Sequence, residues 1–423
     1  MRAVAAEGRG QPAWRLIAGV CAAQMIGHVS AYAVPALLPL LMRAWGLSGG
    51  EAGFLAGIYY GGYTLTVPFL VSLTDRIDPR RIYLLSTALT GLACLGLALL
   101  ADGLWSAALF WGLAGAGFAG CYMPGLRVLT DATTGRTRSR AVAFYTSCLG
   151  VGSSLSFLAA AGIAAWLGWR WAFAAGALGA LLGVIMAASI MPPRSAPATA
   201  PRPWRSFLDP RPALRNRAAM AYTIGYTVHS WELFTLRAWS VAFLTAMAPP
   251  ALAAHPLLGP VAVTALMGFC TMPASVAGNE LCLRFGRRRI ITAVMAGSIV
   301  MALLTATLGT ASYLAAALLV LLYCLVVYGD SSALTAGAVG NARPGEAGAS
   351  MAVHSTLGFA GGFLGPFAFG AILDAAGGGR LAWALAFAHL AVLMVLGPLA
   401  LNRWRAPDLE GDGSGRRAGD GPQ

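Results

Sequence analysis

Twelve stretches of about twenty or more mostly apolar residues run through this chain, and a lipid bilayer is the natural place for each of them. They fall at 14–42, 52–74, 82–101, 104–127, 140–166, 170–191, 217–247, 258–281, 290–309, 311–339, 348–373 and 381–402. The hydrocarbon core holds no water, so a spanning backbone must bond to itself, and an isolated apolar stretch does that as a helix. Only 11% of the 423 residues are charged, less than half of the roughly 25% that soluble domains carry. Most of the 53 glycines lie inside the apolar runs, which excludes a disordered low-complexity chain. The expected fold is an all-α integral membrane protein with twelve transmembrane helices. The first stretch is too long for the apolar region of a signal peptide and no small-residue cleavage pattern follows it, so no cleavable signal is expected.

All 29 cationic side chains are arginine, and against 16 acids they give a net charge of +13. Such an excess could mean a nucleic-acid partner. The spans distribute it differently. The N-terminal tail, alternate loops and the C-terminal tail hold 24 arginines, whereas the other loops hold only Arg43, Arg170 and Arg380. That asymmetry puts both termini and the central loop in the cytoplasm, in a bacterial-type plasma (inner) membrane, and nucleic acid is not an expected partner. Seven cysteines are scattered singly, without Cys-x-x-Cys spacing. They read as buried packing residues rather than a disulfide framework or zinc site.

The composition breaks once, in a Pro- and Arg-rich stretch between two groups of six spans. The domain reading is a six-helix bundle over 1–191, a cytoplasmic linker over 192–216, a second bundle over 217–404 and a disordered tail over 405–423. A shift of 208 residues lays Asp75-Arg76-Ile77-Asp78-Pro79-Arg80-Arg81-Ile82 over Leu283-Arg284-Phe285-Gly286-Arg287-Arg288-Arg289-Ile290, and Ser147-Cys148-Leu149-Gly150 over Ser355-Thr356-Leu357-Gly358. The repeat drifts by two further on, matching Gly168-Trp169-Arg170 to Gly378-Gly379-Arg380. An even number of spans separates the copies, so they share one orientation, related by a pseudo-two-fold axis along the membrane normal.

Twelve spans as six plus six, parallel halves, a central loop and an Asp-Arg-x-x-x-Arg-Arg turn after the second span resemble the major facilitator superfamily, over about residues 14–404. The family form of the turn is Gly-x-x-x-Asp-Arg-x-Gly-Arg-Arg; Val71 and Asp78 stand at its glycines, and the second copy has Leu283 at the acid. The resemblance implies a secondary transporter whose halves rock about a central site, and a cytoplasmic gate in which Asp75 meets an arginine or helix N-terminus of the other half. Arg76, Arg80, Arg81, Arg284 and Arg288 belong to the two copies of that motif; enforcing topology would explain them equally well. The chain departs from the drug/proton antiporters of the superfamily. Trp111 stands where they carry an arginine before Gly115 and Gly117, and the fifth span reads Gly150-Val151-Gly152-Ser153-Ser154 without their Gly-Pro pair, which occurs instead at Gly365-Pro366.

Ionisable side chains deep in a span are costly and usually functional. His229 and Glu232 come near mid-membrane in the seventh span, three apart and so on one helix face. Gln24, His28 and Tyr32 occupy similar depth in the first, and the 208 shift lays Gln24 over Glu232. The resemblance implies that spans 1, 4, 7 and 10 line the path, with His28, Glu232 and Asp330 facing it and Tyr122 in the place equivalent to Asp330. Each histidine also has a plainer reading as a helix-to-helix hydrogen-bond partner, and His354 reads as packing. A buried acid needs a proton or a partner, which makes Glu232 and Asp330 candidates for proton coupling. Arg127 and Arg237 lie nearer span ends, where snorkelling or an ion pair competes with contact to an anionic solute. Runs of Gly-x-x-x-Gly at Gly53/Gly57/Gly61, Gly358/Gly362 and Gly361/Gly365 suit either sliding or tight packing.

The expected function is a secondary active transporter of a small solute, with some preference for a small organic or inorganic anion, coupled to protons, and a functional monomer. Efflux of drugs or metabolites is the alternative. No phosphate-binding Gly-rich loop, cofactor motif or metal cluster points to ATP use or to an enzyme. Linker and tail are too short for the signalling domain that a non-transporting receptor would need.

Overall fold

Each break in the apolar pattern ends a helix. The computed structural model describes residues 13–74, 76–193, 209–253, 255–343, 347–410 and 412–413. Span 1 is two helices, Ala13–Gly27 and Ala33–Trp45, and spans 2 to 6 are Gly49–Leu73, Pro79–Leu100, Leu104–Ala132, Gly135–Leu167 and Trp169–Ile190. A short helix, Arg211–Arg215, precedes span 7, Arg217–Met247, and span 8, Pro260–Phe285. Span 9 is Arg287–Leu304 closed by a wide turn at Thr305–Gly309; span 10 is again two helices, Tyr313–Tyr328 and Ser331–Gly340. Spans 11 and 12 are Ala347–Ala375 and Gly379–Arg403, the last with a kink at Val395. Among the described residues, nine helices are long and apolar enough to cross a membrane unaided.

The helices gather into two six-helix bundles with the same internal pairing. Spans 1 and 6, 2 and 4, 3 and 4, and 3 and 6 pack together in the first half, as do 7 and 12, 8 and 10, 9 and 10, and 9 and 12 in the second. The halves meet through spans 2 with 11, 5 with 8, and 1 with 7. Leu85, Leu92 and Leu99 of span 3 are exposed at seven-residue spacing, an outward apolar stripe suited to lipid, and exposed Trp14, Trp105, Trp166 and Trp171 stand at span ends, where membrane interfaces favour them.

Lipid gives no hydrophobic reward for helix pairing, so close main-chain approach carries much of the packing. A Cβ on Gly115 of span 4 would lie 1.8 Å from the Tyr59 carbonyl oxygen of span 2. Gly115→Ala must push spans 2 and 4 apart, at about 1–3 kcal/mol or more for an overpacked core. Thermal unfolding in detergent should show a midpoint lowered by about 5 °C; an unchanged or raised midpoint would refute the contact.

Two expectations need correction. The first and tenth spans are not continuous. Pro35 has no N–H to give to the Ala31 carbonyl, and the Tyr32 N–H bonds out of the helix to Ser156 Oγ of span 5 at 2.9 Å. Span 10 breaks at Gly329 and Asp330. Nor is everything beyond Arg405 a free tail. Asp412 holds Arg287 through two bonds of 2.9 and 3.0 Å, Asp408 accepts from the Arg288 backbone N–H at 2.8 Å, and the Tyr222 hydroxyl donates to the Pro407 carbonyl. Residues 406–410, 412 and 413 thus lie on the second half beside the loop between spans 8 and 9. That end of the molecule, which also carries the short helix before span 7, is the terminal face below; the other end is the opposite face.

Candidate functional site

A cavity of about 1070 Å³ lies between the two halves. Its wall runs from Tyr32, Ser153 and Arg237 in the interior to Asn279, Glu280, Val339 and Gly340 at the terminal-face ends of spans 8 and 10. Toward the opposite face the halves are pressed together. Gly53 of span 2 would place a Cβ 2.1 Å from the Pro366 oxygen of span 11, and Gly57 one 2.4 Å from that of Phe363. Ser154 of span 5 donates to the Ala265 carbonyl of span 8 at 2.7 Å.

Arg237 stands where the halves join. Its guanidinium is buried, donates to the Tyr32 hydroxyl at 2.5 Å and to Ser153 Oγ at 3.2 Å, and lies over the rings of Tyr32 and Tyr328 at 4.9 and 5.4 Å. Tyr32 closes the break of span 1 and Tyr328 opens that of span 10. Arg237 therefore bridges from the second half to the first at both interruptions, and its Nε is buried without a partner. It is the one arginine lining the cavity among the described residues.

The first half supplies further unsatisfied polar atoms on the same wall. Gln24 accepts from the hydroxyls of Tyr145 at 3.0 Å and Tyr83 at 3.4 Å, leaving its Nε2 unpartnered, and His28 Nε2 and the hydroxyls of Tyr59 and Tyr63 are likewise buried and unpaired. Buried polar atoms without partners are rare. With the Arg237 Nε, five such atoms belong to residues that line one cavity. A further part of the wall is aromatic. Tyr60 meets Phe234 with ring centres 4.0 Å apart, Tyr63 meets Phe359 at 3.9 Å, and Tyr122 stacks between Phe118 and Tyr145.

Gln24, His28, Tyr32, Tyr122 and Arg237 thus come together on one cavity. His229, Glu232 and Asp330 do not line it; they sit inside the second bundle. The Tyr323 hydroxyl donates to Glu232 Oε1 at 2.6 Å, and His229 Nδ1 lies 2.8 Å from Asp330 Oδ1, ion-pair distance without hydrogen-bond alignment. The cavity stripe of span 7 is Tyr226, Leu233, Phe234 and Arg237; Glu232, one residue before Leu233, is turned from it by about 100°. For each acid, a partner within the bundle offsets the cost of burial. Arg127 is also away from the cavity, donating to Thr74 Oγ1 at 2.5 Å and lying 3.8 Å from Asp131.

Of the gate motif, Asp75 lies outside the described residues. Arg80 donates to the Ala188 carbonyl within its own bundle at 2.6 Å, Arg81 is exposed, and Arg284 pairs with Glu280 at 3.2 Å. Arg76 lies on the turn between spans 2 and 3, and Arg288 is in the first turn of span 9. The sequence reading missed Ser153 and His354, whose ring stacks on Tyr226 at 4.1 Å on the cavity wall. It also missed the aromatic wall, for which Tyr59, Tyr60 and Tyr63 among the glycines of span 2 were an available signal.

The comparisons agree with this architecture. A family model described as Major Facilitator Superfamily matches residues 20–366. Protein spinster homolog 1 of Bos taurus is 24% identical over 240 residues, 54% of this chain and 45% of the relative, so the matched part is less than half of that protein. Among solved structures, a bacterial homolog to the human lysosomal transporter Spinster, inward-facing and occupied, is similar with a TM-score of 0.67 and 16% identity, over 94% of this chain and 96% of the other. The nucleoside transporter NupG is similar with a TM-score of 0.71 and 13% identity, over 93% and 99%. At those identities the two structures speak for the fold alone. With the family match covering most of its length, the chain belongs to the Major Facilitator Superfamily and is a multi-pass membrane protein.

Proposed function

We propose that this transporter carries a small organic anion, coupled to protons, by opening its cavity alternately to the two sides of a bacterial-type inner membrane. The observation that carries the anion reading is Arg237, a buried cation on the cavity wall with an unpartnered Nε. Two helix breaks beside it give irregular backbone at the cavity, as transporters use around a bound solute. A volume of about 1070 Å³ suits an organic molecule better than a bare inorganic ion. The arginine asymmetry supports a cytoplasmic terminal face, so the cavity described here is the one reached from the cytoplasm. Transport, rather than catalysis or nucleic-acid binding, accounts for the residues, and a single chain contains the whole cavity.

The coupling reading rests on His229, Glu232 and Asp330, three titratable groups buried together against the break of span 10. Protons taken up there would act on that break rather than on the solute directly. The test is uptake of labelled organic anions by purified protein in liposomes, with and without an inward proton gradient. The expected result is saturable uptake of an anion, accelerated by the gradient. Asp330→Asn should abolish gradient-driven accumulation while solute exchange continues; accumulation retained at the wild-type level would overturn the coupling role. Export is the second reading, favoured by the aromatic wall, which suits a cargo with an apolar body, and flux direction in the same liposomes decides it.

A further inference from the structure

At the opposite face, the N-terminus of span 2 divides its free backbone donors between its own half and the other. Ser48 and Glu51 form a reciprocal cap: Glu51 Oε2 accepts from the Ser48 N–H at 2.9 Å, and Ser48 Oγ from the Glu51 N–H at 3.2 Å. The two N–H groups between them, on Gly49 and Gly50, point across the molecule. The carboxylate of Asp374, at the end of span 11, accepts both: Oδ1 from Gly49 at 2.6 Å and Oδ2 from Gly50 at 2.7 Å. Only glycine fits this approach. A Cβ on Gly49 would lie 2.6 Å from the Gly370 oxygen, and one on Gly370 would lie 1.9 Å from that of Gly49.

We propose that Asp374 is the latch that holds the opposite face shut, releasing the span 2 N-terminus when the cavity opens to that side. The chemistry is favourable to such a role. A carboxylate at a helix N-terminus meets both the positive end of the helix dipole and two donors with no intrahelical partner. Water satisfies the same donors after separation, so the bond is strong enough to bias the equilibrium and weak enough to break in a transport cycle. The carboxylate is solvent-exposed, which keeps it at the moderate end of charge-assisted bonds. Because the seam opens while the terminal face closes, loss of the latch changes both ends of the molecule.

The test needs no solute. Hydrogen exchange of the intact protein in lipid nanodiscs is followed by mass spectrometry for wild type, Asp374→Asn and Asp374→Ala. The amide variant turns an N–H donor toward one of the two glycine donors and so loses the bidentate contact while nearly preserving shape. Exchange across 46–57 and 363–377 should quicken by on the order of tenfold, the change expected for losing about 1.4 kcal/mol, while exchange across 76–83 and 279–290 at the terminal face slows. Glu51→Gln, which weakens the same helix end without touching the other half, should quicken span 2 alone. Unchanged exchange in the Asp374 variants, or a change confined to span 2 as in Glu51→Gln, would overturn the latch. Either result would leave the anion and proton reading standing.

Discussion

Arg237→Ala is expected to lower the rate of solute exchange in liposomes by 100-fold or more while the protein still assembles as two bundles. The guanidinium holds Tyr32 and Ser153 of the first half, and its Nε is buried without a partner on the cavity wall. A hydrogen bond to a charged group contributes about 1.5–3 kcal/mol, and each 1.4 kcal/mol or so is tenfold. Losing two such bonds to a bound anion accounts for about that factor. Arg237→Lys keeps the charge as a point without the planar fork, so it should recover only part of the rate. The measurement is exchange of the anion identified by the uptake screen, with circular dichroism and thermal unfolding to establish folding. Near-normal exchange in the alanine variant would remove Arg237 from the site.

The second large effect falls at the terminal face of the second half. Arg287 and Asp412 face each other with side chains only 4% and 0% exposed, and Arg287 also donates to Asn279 Oδ1 and the Ala333 carbonyl, each at 3.2 Å. Removing one member of a buried pair leaves the other charge uncompensated, at a cost of about 3–5 kcal/mol. Asp412→Ala should therefore lower the unfolding midpoint in detergent by roughly 10 °C, at about 2–4 °C for each kcal/mol. Arg287→Met combined with Asp412→Leu should restore much of that loss, because replacing both members by apolar residues removes the stranded charge. A single variant as stable as wild type would mean that the Arg287–Asp412 pair does not bear on the bundle.

The helices were legible because lipid demands length and little else. The apolar run at 217–247 coincides with the helix Arg217–Met247. The interruptions were not legible. Pro39, Pro68, Pro124, Pro273 and Pro366 all lie within helices that continue through them, so Pro35 alone does not announce a break. What stabilises that break is Ser156, 124 positions along the chain, supplying an acceptor for Tyr32. Depth was readable from residue counting, and Gln24 and His28 do reach the cavity. Facing was not readable for the acids. The 208-residue shift aligns Asp330 with Tyr122, which lines the cavity, but Asp330 stands in a helix break absent from span 4, and its carboxylate turns to His229 instead. The tail was read from composition, and Gly and Asp there suggested disorder; Arg287, left without its motif acid at Leu283, was the clue that an acid from elsewhere would be drawn in.

The seam between spans 2 and 11 has a consequence for the energised membrane in which such a protein works. Gly49, Gly53 and Gly57 meet Gly370, Pro366 and Phe363 main chain against main chain, with no long side chains between them to bend, tilt or part a little. Close-packed surfaces of that kind tend to have discrete arrangements rather than a continuum. The joint is then either sealed or fully separated, with no half-open crevice through which ions could leak and dissipate the potential between one delivery of cargo and the next.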